Sequence, residues 1–343
     1  MIVPIFFIIL SVLGFYFSGL PFDFVMQQMV LRLARNLVLV MSLIIPVISG
    51  MGLNFGIVLG AMAGQVGIIF IANNGLTGLP GFLLAVLVST PVAILLGYLV
   101  GKLLNKAKGK EMITSMILGF FANGIYQLIF IVLAGTVIPF KNKNLLRSSG
   151  DGLRNTIDLI GIKGALDKAI FPNASYPIMT FLVIIALFIA IYLFLKTKLG
   201  QEMRAIGQSM SISSVAGINV DRTRIISIII STVLAAWGQL IYLQNMGTFN
   251  TYNNHEQVGL FAVASLLIGG ASVDRASWKE AVLGTFLFHL LFIVSPLAGQ
   301  NIVGDAQIGE YFRVFIAYGV IGLSLLLHSW EENKQKQLSM KKL

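Results

Sequence analysis

Polar side chains that interrupt apolar stretches are the residues of this sequence best placed to do chemistry. Five amides stand in such surroundings: Asn54, Asn123, Gln127, Gln239 and Asn245. An amide offers hydrogen-bond donors and acceptors, so each could contact a small polar solute along a translocation pathway. Each could equally make a hydrogen bond between helices, which contributes only about 0.6 kcal/mol on average in a membrane. The sequence leaves both roles open.

Residues for covalent, metal or nucleotide chemistry are absent or scattered. The chain has no Cys, and its three His residues lack a ligand spacing such as HExxH. Neither a GxxxxGKS/T phosphate loop nor a GxSxG nucleophile motif occurs. We therefore expect no enzyme activity, no bound metal and no cofactor.

The composition indicates a membrane protein. Hydrophobic residues make up 57% of the chain and charged residues 11%, whereas soluble domains carry about a quarter charged residues. A helix needs about 20 residues to cross the hydrocarbon core. We predict an all-α, polytopic helix bundle of about ten transmembrane helices, some broken or re-entrant. The candidate spans are 2–19, 37–50, 53–73, 80–104, 112–138, 177–196, 224–245, 258–273, 277–297 and 308–328.

Glycines are concentrated between Val47 and Gly67. Small residues at such spacing permit close helix crossings. They also permit broken helices that face a transport pathway. Both interpretations remain open from the sequence.

The basic residues predict the topology. The net charge is +10, but Lys and Arg lie in short clusters between apolar runs, which is typical of cytoplasmic loops rather than of nucleic-acid binding. Alternation from these clusters places loops 139–176 and 246–257 outside. Arg32 and Arg35 then fall in an outside loop if there are ten helices, as we predict, and in an inside loop if there are nine. The cytoplasmic clusters are Lys102, Lys106, Lys108 and Lys110, then Lys196, Lys198, Arg204, Arg222 and Arg224, then the tail Lys334, Lys336, Lys341 and Lys342.

A polar insert at 197–224 separates two apolar spans. The charge rule makes it cytoplasmic, and it is longer than a simple turn requires. Ser211 could cap a short helix through residue 216, which Gly217 would end. A short amphipathic helix of this kind suits docking into a groove of a partner. A loop that only satisfies its own backbone is the alternative.

Three runs of the sequence resemble the ribose/simple-sugar permease family of ABC importers. The run LGQEMRAIGQSMSISSVAGINVDRTRIISIIISTVLAAWGQLIYL is similar to the family's coupling loop and following helix, with its G…RAIGxNxxAAxxxGINV pattern. The run AVASLLIGGASVDRASWKEAVLGTFL resembles the pattern AIAAVVIGGTSxxGGxGxxxGTxxG. The third and weaker match is SGMGLNFGIVLGAMAG, similar to TGGIDLSVGSVLALAG.

The resemblance implies a multi-pass permease subunit of a bacterial plasma membrane. Residues 1–330 would form the permease domain and 331–343 a cytoplasmic tail. The implied partners are a second permease subunit, cytosolic ATPase subunits, an external substrate-binding protein and membrane lipid. The ATPase-docking residues implied in the loop are Glu202, Arg204, Ala205, Gly207, Ser211, Ser214 and Gly217.

The chain departs from the sugar-permease pattern at its acidic positions. Asn54 replaces the Asp of GIDLSVG, and Phe261 replaces the Asp before AIAAVV, with Glu256 a few residues upstream. Fewer carboxylates weaken the case for a sugar and make a nucleoside a serious competitor. Phe120, Phe121 and Tyr126, beside Asn123 and Gln127, could stack against a base while the amides bind its edge.

A secondary carrier or channel that acts alone is the main alternative function. A carrier coupled to ions should place ionisable residues inside its spans. The candidates, Glu280, His289 and Glu310, lie near span ends. Because these residues lie near span ends, the sequence favours a transporter that receives its energy from a separate protein over an ion-coupled carrier.

Overall fold

The computed structural model describes residues 2–171, 174, 176–315, 318–323 and 326. The tail predicted at 331–343 lies outside the described residues. The helices in the first part of the chain are α1 (Ile2–Ser18), α2 (Phe22–Ser42), α3 (Ile44–Ile48), α4 (Ile57–Asn73), α5 (Gly78–Lys106) and α6 (Glu111–Gln127), and a π-helical turn follows at Leu128–Leu133. A 3₁₀ turn at Lys143–Leu145, β1 (Thr156–Asp158), α7 (Ala165–Ile170) and α8 (Ile178–Phe194) follow. The remainder comprises α9 (Lys198–Gln208), α10 (Met210–Val215), α11 (Val220–Met246), β2 (Thr248–Asn250), α12 (Asn254–Ile268) and α13 (Trp278–Val303), and residues 306–315 and 318–323 are also helical.

The predicted all-α, polytopic helix bundle is confirmed. By length and composition, five of the described helices can cross a membrane. A sixth span results if α8 and α9, which meet at a bend of 73°, are counted together. Shorter apolar helices lie at Val3–Ser18 and Ile57–Asn73. The long candidates are Phe22–Ile48, Gly78–Lys106, Glu111–Leu133, Val220–Met246 and Trp278–Val303.

Helix α2 begins 15 residues before the predicted start of the second span, so Arg32 and Arg35 lie within a helix and not in a loop. The charges of Arg32 and Arg35 lower the local hydropathy, so the hydropathy pattern places the start of this helix too far along the chain. The Arg35 Nε donates a hydrogen bond to the Asn245 Oδ1 and so links α2 to α11. Asn245 is near the end of α11, on the side that the charge pattern assigns to the outside.

The chain divides into two compact units, of which one spans Ala34–Gly259. Its centre is the packing of α11 against α4 and α5. Gly97 and Gly101 of α5 are needed there, because a Cβ on either would come within 3.0 Å of a backbone Cα of α11. The Trp237 Nε1 also donates to the Thr90 Oγ1 at 2.9 Å and links α11 to α5.

The glycine-rich stretch uses both of the conformations that the sequence allows. Gly50 and Gly52 have positive φ (71° and 69°) and form the break between α3 and α4. Gly60 and Gly64 lie within α4, where a Cβ would come within 2.7 Å of carbonyl oxygens of α11. The first half of the stretch therefore breaks a helix, and the second half permits a close crossing.

Residues 134–171 form a folded cap on this unit rather than a loose loop. Strand β1 pairs antiparallel with β2, with Ile157 opposite Phe249. The Asn73 Oδ1 accepts from two backbone N–H groups of the cap, and the Gly78 N–H donates to the Gly161 carbonyl at 2.8 Å. Buried aliphatic residues of the cap, including Leu153 and Ile157, extend the apolar core.

The other unit comprises the residues up to Leu33 and those from Leu260 onward. Helix α1 packs along α13, and the Asn301 amide donates to the Phe17 carbonyl at 2.9 Å. Helices α12 and α13 cross closely, because a Cβ on Gly284 would lie 1.8 Å from the Ser265 carbonyl oxygen.

Candidate functional site

The insert at 197–224 folds into two short helices, α9 and α10. The Thr197 Oγ1 caps α9 by accepting from the Gly200 N–H at 3.4 Å. Met203 and Ile206 are buried, while Arg204 is exposed. The 73° bend after α8 turns α9 away from the direction of the preceding span. The insert is thus an amphipathic element with a buried and an exposed face.

The predicted cap of the second helix is wrong by two residues. The Ser209 side chain, not that of Ser211, accepts from the Ile212 N–H and begins α10. Ser209 has extended backbone angles, as an N-cap requires. Gly217 does follow the helix, with φ +82°. Ser211 instead lies within α10 and is exposed.

Gly207 of α9 touches the break between α3 and α4. A Cβ on Gly207 would lie 2.1 Å from the Ile48 carbonyl oxygen and 3.3 Å from the Gly50 nitrogen. Only glycine lets the two backbones approach this closely. Helix α9 therefore lies in direct backbone contact with the segment that leads through Asn54 into α4.

The outer face of α10 carries exposed apolar side chains. Ile212 is 71% exposed and Val215 is 91% exposed. Their i,i+3 spacing puts them on one helix face. Ser211, Ser214 and Gly217 are also exposed. An apolar helix face of this kind can enter a groove of a partner.

A buried ion pair anchors the start of α11. Arg224, with 0% exposure, pairs with Glu111 of α6, which is 8% exposed. The guanidinium also approaches the Met210 Sδ at 2.9 Å, which ties in α10. In the sequence Arg224 looks like one more cytoplasmic charge, because its partner lies 113 residues away.

A second cluster of polar side chains lies inside the Ala34–Gly259 unit. The His255 Nδ1 lies 3.0 Å from the Gln65 Oε1, and its Nε2 lies 2.9 Å from the Asn123 Oδ1. The Asn123 amide donates to the Glu256 Oε1. Gln127 donates to the Asn123 Oδ1 at 3.4 Å. We call Gln65, Asn123, Gln127, His255 and Glu256 the polar network; it joins α4, α6 and α12.

The predicted pathway residues fall into three groups. Asn123 and Gln127 belong to the polar network, and Gln239 borders it through a hydrogen bond to the Asn254 Oδ1. Asn54 closes a turn by accepting from the Gly56 N–H at 2.9 Å, and Asn245 binds Arg35. Phe120 is 66% exposed on the surface of α6.

Sequence reasoning missed His255 and Gln65 as network members. Gln65 is an amide within the glycine-rich α4 that the pattern of isolated polar residues did not single out, and it is fully buried. His255 belongs to the polar run that opens α12. Their partners lie 190 and 132 residues away along the chain, so no local spacing reveals the cluster. Within the described ranges, no group of three His, Cys, Asp or Glu residues could hold a metal ion.

Comparison with known proteins finds similar sequences among transport permeases. A nucleoside ABC transporter permease protein, NupB of Lactococcus lactis, is 30% identical over 42% of this chain and 38% of its own length. Its counterpart NupC is 29% identical, and the match covers 49% of that protein. This chain thus spans half or less of those two relatives.

A fructose import permease protein, FruG of Bifidobacterium longum, is 28% identical over 78% of this chain and 73% of its own length. No solved structure matches the chain. The family described as the permease component of the branched-chain amino acid transport system matches residues 25–325. The chain therefore belongs to this family of ABC permeases, as a multi-pass plasma-membrane protein.

Proposed function

We propose that the chain is a channel-forming subunit of an ABC importer that moves a nucleoside or simple sugar inward. Two permease subunits would enclose the pathway, and an external binding protein would deliver the solute. Cytosolic ATPase subunits would drive alternating access through α9 and α10. The proposal includes the domain limits, with a permease domain at 1–330 and a cytoplasmic tail at 331–343. It also treats the cap as an external surface and 197–224 as the cytoplasmic coupling loop.

The observation that carries this proposal is the contact of Gly207 with the α3–α4 break. An ATPase that holds the exposed face of α10 would also move α9, and α9 would press on Gly50, which Gly207 contacts. Gly50 precedes α4, which carries Gln65 of the polar network. Because closely packed backbones transmit displacement rather than absorb it, the insert and the network are mechanically linked.

Asn123, Gln127 and Gln239 are proposed to contact the passing solute, since they lie in or beside one buried polar cluster. Asn54 is proposed to shape the pathway at the break between α3 and α4. Asn245, near the end of α11, is proposed to shape the far end of the pathway. Phe120 stays a proposed pathway residue; it is exposed on the surface of α6, where a second permease subunit could enclose the pathway. A solute should bind the pathway weakly, because a ligand shifts a conformational equilibrium only by its differential affinity for the two states.

We expect the double variant Ile212→Ser, Val215→Ser to lose its ATPase partner. Burying two aliphatic side chains in a groove favours association, and their removal should lower ATPase recovery by about tenfold or more. The measurement is the amount of ATPase that co-purifies with the tagged chain. The matched control is Val137→Ser, Ile160→Ser in the cap, whose side chains are 72% and 78% exposed. Equal recovery in both double variants contradicts docking through α10.

Charge reversal at Arg204 should stop transport without preventing membrane insertion. Arg204 is exposed on α9, and a reversed charge opposite a complementary partner surface costs several kcal/mol. The measurement is uptake by cells that express the complex, with chain level checked in isolated membranes. Lys198→Glu, at the other end of α9, is the matched control. Wild-type uptake in Arg204→Glu would remove Arg204 from the docking surface.

A further inference from the structure

Helix α13 contains a proline in its interior, so one of its backbone carbonyls loses its helical donor. Pro296 has no N–H, and it therefore cannot donate to the carbonyl of Phe292, which precedes it by one helical turn. Proline at such a position bends or weakens a helix. Phe292 is buried, and a buried polar group without a partner is costly. Another donor has to reach this carbonyl.

Arg313 supplies that donor. Its Nη1 donates to the Phe292 carbonyl at 2.9 Å, and its guanidinium carbon lies 4.5 Å from the centre of the Phe292 ring. Its Nη2 pairs with the Glu310 carboxylate at 2.9 Å. The Arg313 side chain is 19% exposed and that of Glu310 is 55% exposed. One guanidinium therefore joins a carbonyl inside the protein to a carboxylate at its surface.

The half of α13 that precedes Pro296 is packed closely against α12. A Cβ on Gly284 would lie 1.8 Å from the Ser265 carbonyl oxygen. A Cβ on Gly269, which directly follows α12, would lie 1.9 Å from the Glu280 carbonyl oxygen. Because backbones in such close contact cannot slide independently, this half of α13 moves together with α12.

The half of α13 that follows Pro296 is packed in the same way against helix 306–315. A Cβ on Gly299 would lie 2.6 Å from the Gly309 nitrogen, and a Cβ on Gly309 would lie 2.9 Å from the Pro296 Cα. Helix α1 meets both halves through the side chains of Val294 and Asn301, which can adjust. The weak point of α13 thus lies between two closely packed pairs of helices.

The hydrogen bond of Arg313 crosses this weak point. Arg313 belongs to helix 306–315, which is packed on the second half of α13, whereas the Phe292 carbonyl belongs to the first half. The bond therefore fixes the angle between the two halves as well as satisfying the carbonyl. Glu310 lies on the same helix as Arg313 and can keep its ion pair when the halves change their angle.

We propose that α13 is a hinged helix that bends at Pro296, and that Arg313 is the latch of this hinge. With the latch closed, as in this structure, Arg313 holds the Phe292 carbonyl and the two halves keep one angle. With the latch open, the guanidinium stays on Glu310 and the halves move. The latch itself does not depend on what the chain transports, whereas its opening during transport rests on the proposed function.

The test is amide hydrogen exchange of residues 291–303 in the purified full-length chain, because exchange reports the local opening of a helix. In Arg313→Met this segment should exchange about tenfold faster or more, since a hydrogen bond from a charged donor is lost. Pro296→Ala returns an N–H to the Phe292 carbonyl. The double variant Arg313→Met, Pro296→Ala should therefore exchange within about twofold of Pro296→Ala alone.

Two control variants separate the latch from a general loss of charge. Glu310→Gln removes the ion pair but leaves the bond to the carbonyl, and Arg275→Met changes an exposed arginine in the loop before α13. Both should exchange as slowly as the wild type. Unchanged exchange in Arg313→Met overturns the latch. A loss of slow exchange or of folding in Arg313→Met that Pro296→Ala does not repair overturns it as well, and so does equally fast exchange in Glu310→Gln.

Uptake tests the opening of the hinge during transport. Pro296→Ala should lower ATP-driven uptake by the purified complex about tenfold or more, because the restored hydrogen bond stiffens α13. Wild-type uptake in Pro296→Ala overturns the opening step. The two proposals fail separately, since a wild-type complex without ATP-driven uptake contradicts the importer while the exchange experiment still decides the latch.

Discussion

Gly207→Ala is expected to reduce coupled uptake strongly while the ATPase stays bound. The added Cβ would lie 2.1 Å from the Ile48 carbonyl oxygen, which is backbone and cannot rotate away. Helix α9 must therefore move off the α3–α4 break. Overpacking of this kind costs about 1–3 kcal/mol, and we expect uptake to fall by about tenfold or more. The docking face of α10 is unchanged, so ATP hydrolysis should continue without transport.

The matched control for this variant is Gly124→Ala. Gly124 also lies in a helix, but nothing lies within 4 Å of the place that its Cβ would take. Alanine is a better helix former than glycine, so this variant should insert and transport like the wild type. Uptake and hydrolysis are both measured on the purified complex in proteoliposomes. Full uptake in Gly207→Ala contradicts transmission through this contact.

Arg224→Leu is expected to cause the largest loss of stability. It leaves the Glu111 carboxylate buried without its partner. Breaking a buried ion pair by removing one member costs about 3–5 kcal/mol. Replacing both members with apolar residues is often nearly neutral, so Arg224→Leu, Glu111→Leu should recover most of that loss. The measurement is the free energy of unfolding in mixed micelles, followed by circular dichroism.

Lys108→Ala is the matched control for the ion pair. Lys108 pairs with Asp221 at 2.6 Å, but the two side chains are 45% and 62% exposed. An exposed pair contributes at most about 1 kcal/mol. A loss in Arg224→Leu no greater than that in Lys108→Ala would contradict the burial of the pair.

The helices could be predicted well because lipid imposes a single requirement on every span. Long apolar runs must be helical when water cannot satisfy the backbone, so the stretches at 80–104 and 277–297 coincide with α5 and α13. The start of α2 could not be predicted, since Arg35 looks like a loop residue until its partner Asn245 is known. A hydropathy pattern assumes that a charged side chain is exposed to water. In the folded chain, such a side chain can instead bind a polar partner inside the protein.

The site was harder to predict than the fold. Asn123 and Gln127 can be identified because an amide in an apolar run is unusual, but no ligand spacing marks His255. Its role depends on Gln65 and Asn123, which only tertiary packing brings to it. Arg224 illustrates the same limit, because nothing local distinguishes a buried arginine from the exposed Arg222 two residues before it.

The central claim is that this chain transports solute only when partner ATPases drive it. The most direct measurement is uptake of radiolabelled uridine and ribose into proteoliposomes that contain the chain alone, or the chain with its co-purifying ATPase subunits and external binding protein. The account predicts no uptake by the chain alone and uptake by the complex that requires ATP hydrolysis. Saturable uptake by the chain alone, unchanged by ATP, would contradict it and identify a stand-alone carrier.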